Sequence, residues 1–398
     1  MSPERMTCAR PGRSYPLYMS AKKAFFAVLA IVPVVFACSS EGGGGGSPDG
    51  SAPADGGVVS EGGTLPDGAA NDCVGLPEKA LLAELPVGPG LGMGLTSDAI
   101  VVGSPTSGAD TGNSFFPKTG ALLRIPKAGG APVAFHTPAP TVGLGAWRVV
   151  GNDVYFFEFA YAEASKAGKL YRRGLNDAAA TPIGTGTFDG VVSYVAGADA
   201  ASVYVVTPGK DGEFDIVRVD KASGASTVMT SLKSLQFGQA QLFGGFVYFY
   251  ATQGAGALYR VPVDATGVAP TKVTDSSCFG GGLTITADAF YCGEALSLTK
   301  YDLAYANPLK LVNALDYQNA QAPWALGVFG TEVLVAFRAQ KQPMLALPVG
   351  GGPARKVACE IPGPVEAGAI EGDNAFFMVS PFVSGGRQNS LYRLKITR

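Results

Sequence analysis

Short apolar segments, separated by polar turns that contain glycine, follow one another from about residue 96 to residue 398. Each segment is a few residues long and rich in Val, Ile, Leu, Phe and Tyr, a composition that favours β-strands. Glycine is frequent between the segments, where tight turns need backbone conformations with positive φ. The pattern predicts an all-β domain made of many short strands.

The strands belong to a two-part unit that recurs seven times. The first part is a polar turn followed by an apolar strand, as in Asn152-Asp153-Val154-Tyr155. The last residues of these first parts stand at positions 101, 155, 204, 248, 291, 334 and 376, so the step between units falls from 54 to 42 residues. A period of this length, rich in β-branched and aromatic residues, is typical of a β-propeller blade.

The second part of the unit is a strand with a central cation, as in Leu258-Tyr259-Arg260-Val261-Pro262, followed by a turn and an outer strand. Every unit thus offers four strands, which predicts a seven-bladed β-propeller of four-stranded blades, with six or eight blades as alternatives. Six of the seven units carry the cation: Arg124, Arg172, Arg218, Arg260, Lys300 and Arg393. We interpret this shared residue as architectural, bonding carbonyl groups between blades or laying its stem over apolar surface.

The prediction that the ring closes rests on two observations: the last unit lacks a fourth strand, and one predicted strand precedes the first unit. The seventh unit reaches Arg398 directly after its third strand, whereas the apolar segment Ala80–Leu85 precedes the first unit. A propeller closed by a strand from the opposite terminus leaves no sheet edge open at the seam. We therefore expect the N-terminal strand to complete the last blade.

The turn Asp-x-Val-Tyr and the strand Leu-Tyr-Arg-Val-Pro resemble the repeats of bacterial TolB-like and YWTD-like propellers over residues 96–398. The resemblance implies the propeller fold and no particular function, because many unrelated activities share this fold. Trp147 and Trp324 are the only tryptophans, whereas WD-repeat and quinone-cofactor propellers carry tryptophan in repeated motifs. No cofactor is therefore predicted.

Residues 1–37 are predicted to be a leader and lipoprotein signal peptide, with Met19 as the expected true start. After two lysines, the apolar stretch from Ala24 to Ala37 is too short to span a bilayer comfortably, which is typical of a secretory signal. The stretch leads into Cys38 and resembles the bacterial lipobox, so we expect cleavage before Cys38 and lipidation of its thiol. An uncleaved membrane helix or a plain signal peptide is the alternative.

Residues 38–72, made mostly of Gly, Ser, Pro, Asp and Ala, are expected to link the lipid to a propeller formed by residues 73–398. A segment of this composition buries too little apolar area to become ordered. As a flexible coil, the segment would span an end-to-end distance of roughly 30–35 Å. The propeller is then expected on the periplasmic or extracellular side of the cell envelope. Ser39 favours the outer membrane over the inner one in bacteria that sort by this residue.

Four cysteines remain in the predicted propeller region, and an even number in an exported domain favours disulfides. Cys278 enters the fifth blade and Cys292 ends that blade's second strand, so both fall on the same rim and are predicted to pair. Cys73 and Cys359 then pair by elimination, although Cys73 precedes a strand that starts on the opposite rim. A metal site is the alternative, but the chain has no Cys-x-x-Cys motif and one histidine.

The sequence offers few residues that could carry out chemistry. The formal net charge is −2 and no dense basic block is present, so no nucleic-acid partner is expected. His136 is the only histidine and is placed on a loop leaving blade one, where solvation is the ordinary role. Asp211, Glu213 and Asp215 alternate in a way that could hold calcium, but the rest of a twelve-residue calcium loop is missing, so a charged turn is the favoured interpretation and no metal is predicted.

The connections between second and third strands break the symmetry of the repeat. They are long in blade one (103–120), blade two (158–168) and blade seven (380–389), which become neighbours when the ring closes. Aromatic residues and cations on such loops suit contacts with a protein or a glycan. The candidate contact residues are Phe115, Phe116, Phe159, Tyr161, Phe382 and Arg387. The alternative is that these loops vary in length without function.

Two functions are consistent with the sequence. The first is a membrane-tethered, non-catalytic binding or scaffolding lipoprotein, with no catalytic residues assigned. The second is a propeller hydrolase or lyase whose carboxylates, supplied by different blades and assisted by calcium, line the central channel.

Overall fold

The computed structural model describes residues 76–85, 92–105, 120–160, 167–190, 192–233, 236–253, 255–275, 278, 282–294, 296–313, 322–339, 341–380, 382–383, 386–387 and 389–397. Within these ranges the chain forms strands and turns, and no helix has the length and apolar character needed to cross a bilayer. The predicted signal segment, Cys38 and the predicted linker lie outside the described residues.

Seven antiparallel sheets form the blades of the predicted seven-bladed propeller. Blade one contains β2 (Met93–Leu95), β3 (Ala99–Pro105), β4 (Gly120–Pro126) and β5 (Val133–His136). Blade two contains β6 (Val142–Val150), β7 (Asp153–Ala160), β8 (Ala167–Gly174), β9 (Thr181–Pro182) and β10 (Phe188–Asp189). Blade three contains β11 (Tyr194–Ala198), β12 (Ser202–Pro208), β13 (Glu213–Asp220) and β14 (Ser226–Lys233). Blade four contains β15 (Gln236–Phe243), β16 (Phe246–Gln253), β17 (Ala255–Pro262) and β18 (Thr271–Thr274).

The remaining blades follow the same order from the innermost strand outwards. Blade five contains β19 (Gly282–Ile285), β20 (Ala289–Gly293), β21 (Ser297–Asp302) and β22 (Leu309–Asn313). Blade six contains β23 (Pro323–Phe329), β24 (Glu332–Phe337), β25 (Gln342–Pro348) and β26 (Arg355–Ile361). Blade seven contains β27 (Val365–Glu371), β28 (Asn374–Val379), β31 (Ser390–Lys395) and, as its outer strand, β1 (Ala80–Glu84). A short hairpin, β29 (Phe382–Val383) with β30 (Gly386–Arg387), lies between β28 and β31.

The closure predicted from the sequence is confirmed. Strand β1 pairs antiparallel with β31, with Ala80 opposite Arg393 and Leu81 opposite Tyr392. The backbone N–H of Leu85 extends the contact by donating to the carbonyl of Asn389 at 2.9 Å. The N-terminal segment therefore completes the last blade and removes the open edge that β31 would otherwise present.

The second strand of each blade is the most deeply buried, because a neighbouring blade covers each of its faces. One fully buried residue from each blade in turn illustrates this layer: Ile100, Phe156, Val205, Phe249, Phe290, Val335 and Phe377. Burying one such side chain contributes about 1.5–3 kcal/mol. These strands therefore read as continuous apolar runs in the sequence, which is why the first part of each repeat unit predicts a strand.

The repeated cations join neighbouring blades in three places. Arg218 and Lys300 each donate to a backbone carbonyl of the next blade at 2.8 Å, and Arg393 does so at 3.3 Å. Each acceptor directly follows a proline at the end of a third strand; the three acceptors are Val263, Val349 and Lys127. The prediction that these cations bond carbonyls between blades is therefore confirmed for half of the set.

The other three cations act within their own blade. In each case the third strand of the next blade does not end in a proline. Arg124 pairs with Asp98 at 2.6 Å and Arg172 with Asp153 at 2.7 Å, both acids standing in the turn before the second strand or at its start. Arg260 lies over the ring of Phe246, 4.7 Å from its centroid. The shared cation thus has two architectural roles. It bonds either to a carbonyl of the next blade or to an acid or an aromatic ring of its own blade.

Blade two departs from the predicted four strands, because its outer strand is split into β9 and β10, both paired with β8. At the break, Gly184 adopts a φ of 72° and its backbone lies against that of Gly224 in blade three. A Cβ at Gly184 would stand 2.4 Å from the Gly224 carbonyl oxygen, so only glycine permits this approach. The outer strand of blade two is therefore interrupted where its backbone packs closely against blade three.

Candidate functional site

The connections between second and third strands begin and end on one side of the ring, because every blade has the same antiparallel order. We call this side the loop face. The connecting residues are 106–119 in blade one, 161–166 in blade two and 380–389 in blade seven. They are 209–212, 254, 294–296 and 338–341 in the other four blades. The connections are therefore longest in blades seven and one, which are neighbours where the ring closes. The connection in blade two is shorter than the sequence predicted.

The predicted contact residues fall into two groups. Phe115, Phe116 and Tyr161 lie outside the described residues. Phe382 and Arg387 stand opposite each other in the backbone register of the β29–β30 hairpin. This hairpin places part of the blade seven connection at the loop face, on a strand-like backbone.

Phe159 is not a surface residue, and its assignment to the contact surface was wrong. Its side chain is 2% exposed. The cause is that β7 continues to Ala160, so Phe159 still belongs to the strand rather than to the loop. The backbone of Gly190 covers it so closely that a Cβ at Gly190 would lie 2.4 Å from the Cβ of Phe159.

A polar cluster lies between blades one and two, close to the blade two connection. His136, the last residue of β5, brings its Nε2 within 2.7 Å of Glu158 Oε1 on β7, and both side chains are mostly buried. Burial, together with the hydrogen bond to Glu158 and its charge, raises the pKa of Tyr171. The histidine ring also contacts Phe156, with centroids 4.4 Å apart. His136 is therefore an interblade contact, whereas the sequence placed it on a solvated loop.

A cleft of about 420 Å³ lies on the opposite side of the ring, between blade three and the residues after β17. Asp199 and Asp220 of blade three and Asp264 of blade four line it together with Tyr204 and Arg218. The cleft thus gathers carboxylates from two blades, away from the central channel.

Hydrogen bonds lower the pKa values of two of these carboxyls. Burial acts to raise the pKa of Asp199, but hydrogen bonds from the Tyr204 hydroxyl and from backbone N–H groups outweigh it and leave that pKa below its ordinary value. Hydrogen bonds from Ser223 lower the pKa of Asp220. A catalytic pair of carboxyls needs environments that push the two pKa values apart. Here both shift downwards, so both groups are ionised at neutral pH.

The candidate calcium residues form a hairpin turn. Asp211 and Gly212 adopt φ values of 54° and 78° between β12 and β13, and Glu213 starts β13. Asp215 accepts a hydrogen bond from the Ser231 hydroxyl at 2.5 Å. Within the part of the chain that the structure describes, no three acidic, histidine or cysteine side chains gather in a way that could hold a metal ion.

The predicted disulfide between Cys278 and Cys292 is confirmed, with Cα atoms 4.8 Å apart. Both residues are buried, and the Tyr305 hydroxyl stands 3.2 Å from Cys278 Sγ. Cys359, on the outer strand of blade six, is also disulfide-bonded. Its predicted partner, Cys73, lies outside the described residues. The described segment that follows Cys73, Leu76–Lys79, shares a second cleft with Cys359.

The innermost strands carry few charges. Across their described bounds the charged residues are Arg148 in blade two and Glu366 and Glu371 in blade seven. Glu371 contacts Lys127 of blade one at 2.5 Å. The carboxylates from different blades that a channel hydrolase or lyase was expected to use are thus not found on these described strands.

No protein-family model and no curated protein sequence matches the chain. Solved structures match its fold. The structure of YCF48 bound to D1 peptide has a TM-score of 0.51 at 11% identity, covering 79% of this chain and 96% of that one. The Pan2 WD40 domain of Neurospora crassa has a TM-score of 0.50 at 11% identity, covering 78% and 90%. TolB from Acinetobacter baumannii has a TM-score of 0.43 at 14% identity, covering 75% and 64%. At such identities the likeness concerns the fold alone.

Proposed function

We propose that this protein is a lipid-anchored, non-catalytic binding or scaffolding propeller of the bacterial cell envelope. Its loop face, centred on the closure seam between blades seven and one, contacts a protein or a glycan. The lipid on Cys38 holds the domain at the membrane, and the following linker lets it move roughly 30–35 Å from the anchor.

The observation that carries the proposal is the position of the long connections. In a repeated scaffold, features that serve the architecture recur in every blade, as the buried second strands do. A binding surface has to break that symmetry. The strands that flank the two longest connections, 106–119 and 380–389, belong to neighbouring blades and end at the same face. Loops held on a rigid framework are common sites of recognition.

The framework that carries the ends of these loops is densely packed. Blades seven and one share a buried cluster in which Ile100 and Val102 pack with Phe376 and Met378. Beside the blade two connection, Phe159 is packed beneath Gly190. Such packing keeps loop ends at fixed separations, which lowers the entropy that a partner must overcome on binding.

The residue types of these connections suit recognition. Phe115, Phe116 and Tyr161 are aromatic, and Phe382 and Arg387 add an aromatic ring and a cation on the neighbouring connection. Aromatic residues and arginine are enriched among the side chains that dominate binding energy at interfaces. A glycan partner would use the same rings by stacking.

Site-specific photo-crosslinking in the native host tests the proposal. A photoreactive residue at Phe116 or at Tyr161 should yield a discrete adduct with one partner. The matched control is the same residue at Gly245, in the turn between β15 and β16 on the opposite side of the ring. Equal adducts from both sides, or adducts from Gly245 alone, would contradict the loop face as the contact surface.

A further inference from the structure

The disulfide of Cys359 joins blade six to the part of the chain that precedes β1. The chain has six cysteines, at positions 8, 38, 73, 278, 292 and 359. Cys278 pairs with Cys292, and Cys359 is also disulfide-bonded. The three other cysteines all lie before Ala80, where β1 begins. Whichever of them is the partner, the bond ties the N-terminal segment to the outer strand of blade six.

The described residues before β1 lie beside this disulfide. Leu76–Lys79 share a cleft of about 460 Å³ with Cys359 of β26 and with Tyr392 of β31. Cys73 stands three positions before Leu76 in the sequence, and three residues of extended chain span at most about 11 Å. Cys73, the partner predicted from the sequence, is therefore within reach of Cys359. The bond then fixes the chain just before the strand that closes the ring.

Strand β1 is a short terminal strand apart from this bond. It is five residues long, and its pairing with β31 shifts register between Leu81 and Ala83. Leu82, Ala83 and Leu85 bury their side chains in the cluster shared by blades seven and one, whereas Leu81 is 50% exposed. Terminal segments of this size open locally at a smaller free energy than the whole domain. A covalent bond a few residues away opposes such opening.

The disulfide of Cys359 is more accessible than the disulfide of blade five. Cys359 is partly exposed and lines the cleft, whereas Cys278 and Cys292 are 6% and 0% exposed. Reduction of a disulfide requires a thiolate to attack one of its sulfurs, so its rate depends on access. A reductant therefore reaches the Cys359 disulfide first.

We propose that the Cys73–Cys359 disulfide is a redox-sensitive latch on ring closure, opened by a dithiol. One thiolate of the dithiol attacks a sulfur of this bond, forms a mixed disulfide and releases the other cysteine as a thiolate. The second thiolate of the dithiol then displaces the remaining cysteine. The dithiol is oxidised by two electrons, both cysteines are reduced, and β1 is free to separate from β31. The latch acts at the outer rim and does not depend on what the loop face binds.

Hydrogen exchange followed by mass spectrometry tests the latch in the full chain, before and after treatment with dithiothreitol. Reduction of Cys359 should speed exchange in β1 and β31 at least about tenfold, because the constraint on the terminal segment is lost. Exchange in blade five should stay unchanged while its own disulfide is intact. Peptide mapping without reductant should recover Cys73 linked to Cys359.

Two sets of variants separate the latch from a general loss of stability. Cys73→Ser and Cys359→Ser should each show the fast exchange of β1 without dithiothreitol, and the reductant should add nothing to it. The matched control, Cys278→Ala with Cys292→Ala, should speed exchange in blade five and leave β1 protected. Slow exchange of β1 after reduction of Cys359, earlier reduction of the blade five disulfide, or linkage of Cys359 to another cysteine would each overturn the proposal.

Discussion

Arg393 donates a hydrogen bond to the backbone carbonyl oxygen of Lys127 at 3.3 Å and thereby ties the third strand of blade seven to the turn after the third strand of blade one. The ammonium group of Lys127 returns to blade seven, where it contacts the Glu371 carboxylate at 2.5 Å. These side chains join blade seven to blade one directly, whereas β1 closes the ring through its backbone pairing with β31. The ring is therefore held shut in two ways, and the loop face lies across this seam.

The interblade cations should contribute measurably to stability. Arg218→Met removes a charged donor from the Val263 carbonyl, and we expect a loss of about 1–2 kcal/mol in the free energy of unfolding. The matched control is Arg124→Met, which breaks an exposed ion pair with Asp98 and should cost about 0–1 kcal/mol. Urea denaturation of both variants measures the difference. A larger loss for Arg124→Met would contradict the interblade role.

Two buried tyrosines should respond in opposite directions to loss of their hydroxyl groups. The Tyr291 hydroxyl is buried without a described acceptor, so Tyr291→Phe should raise the free energy of unfolding by about 1 kcal/mol at neutral pH. Tyr155 donates to Asp153 at 3.2 Å, so Tyr155→Phe should lower it by about 1 kcal/mol. Thermal unfolding of the two variants measures both changes in the free energy of unfolding. Destabilisation by both would show that the Tyr291 hydroxyl has a partner.

The same tyrosine gives a prediction for alkaline pH. Burial, aided by the charge of Asp288, raises the pKa of Tyr291 from 10.0 to about 12. The unfolded chain therefore loses this proton first, and the folded state loses stability as pH rises from 10 towards 12. Relative to wild type, Tyr291→Phe should gain stability across this interval, as unfolding midpoints at successive pH values would show.

The sequence predicted the architecture well because its signals are local and repeated. The seven second strands, the pairing of Ala80 with the last blade and the Cys278–Cys292 disulfide all follow from apolar runs and their spacing. Phe159 was misassigned because the sequence placed the start of the connection at residue 158, whereas β7 continues to Ala160 and keeps this side chain in the strand. The contacts of His136 and Arg148 join different blades, so no pattern along one strand reveals them.

Packing beside the blade two connection should tolerate no added methyl group at Gly190. Gly190→Ala places a Cβ 2.4 Å from that of Phe159, and we expect a loss of about 1–3 kcal/mol in the free energy of unfolding. Gly186→Ala, in the same segment, meets its nearest atom at 3.5 Å and should be nearly neutral. Chemical denaturation compares the two, and equal effects would contradict the close approach at Gly190.

Membrane attachment should depend on one thiol. Cys38→Ser removes the proposed lipidation site, so the protein should move from the membrane fraction to the soluble fraction and lose incorporation of a labelled fatty acid. Ser40→Ala, two residues after the proposed lipidation site, keeps the Cys38 thiol and is the matched control, so it should change neither. Unchanged labelling of Cys38→Ser would show that Cys38 carries no lipid.

Cross-linking across the closure seam tests the central claim most directly, since the loop face exists only if the first strand completes the last blade. Leu81 stands opposite Tyr392 in the β1–β31 register, so Leu81→Cys combined with Tyr392→Cys should form a disulfide that mass spectrometry detects in the full chain. Glu84→Cys combined with Arg393→Cys is out of register, because Glu84 stands opposite Ser390, and should remain unlinked. Linkage of the second pair, or none in the first, would contradict the closed ring.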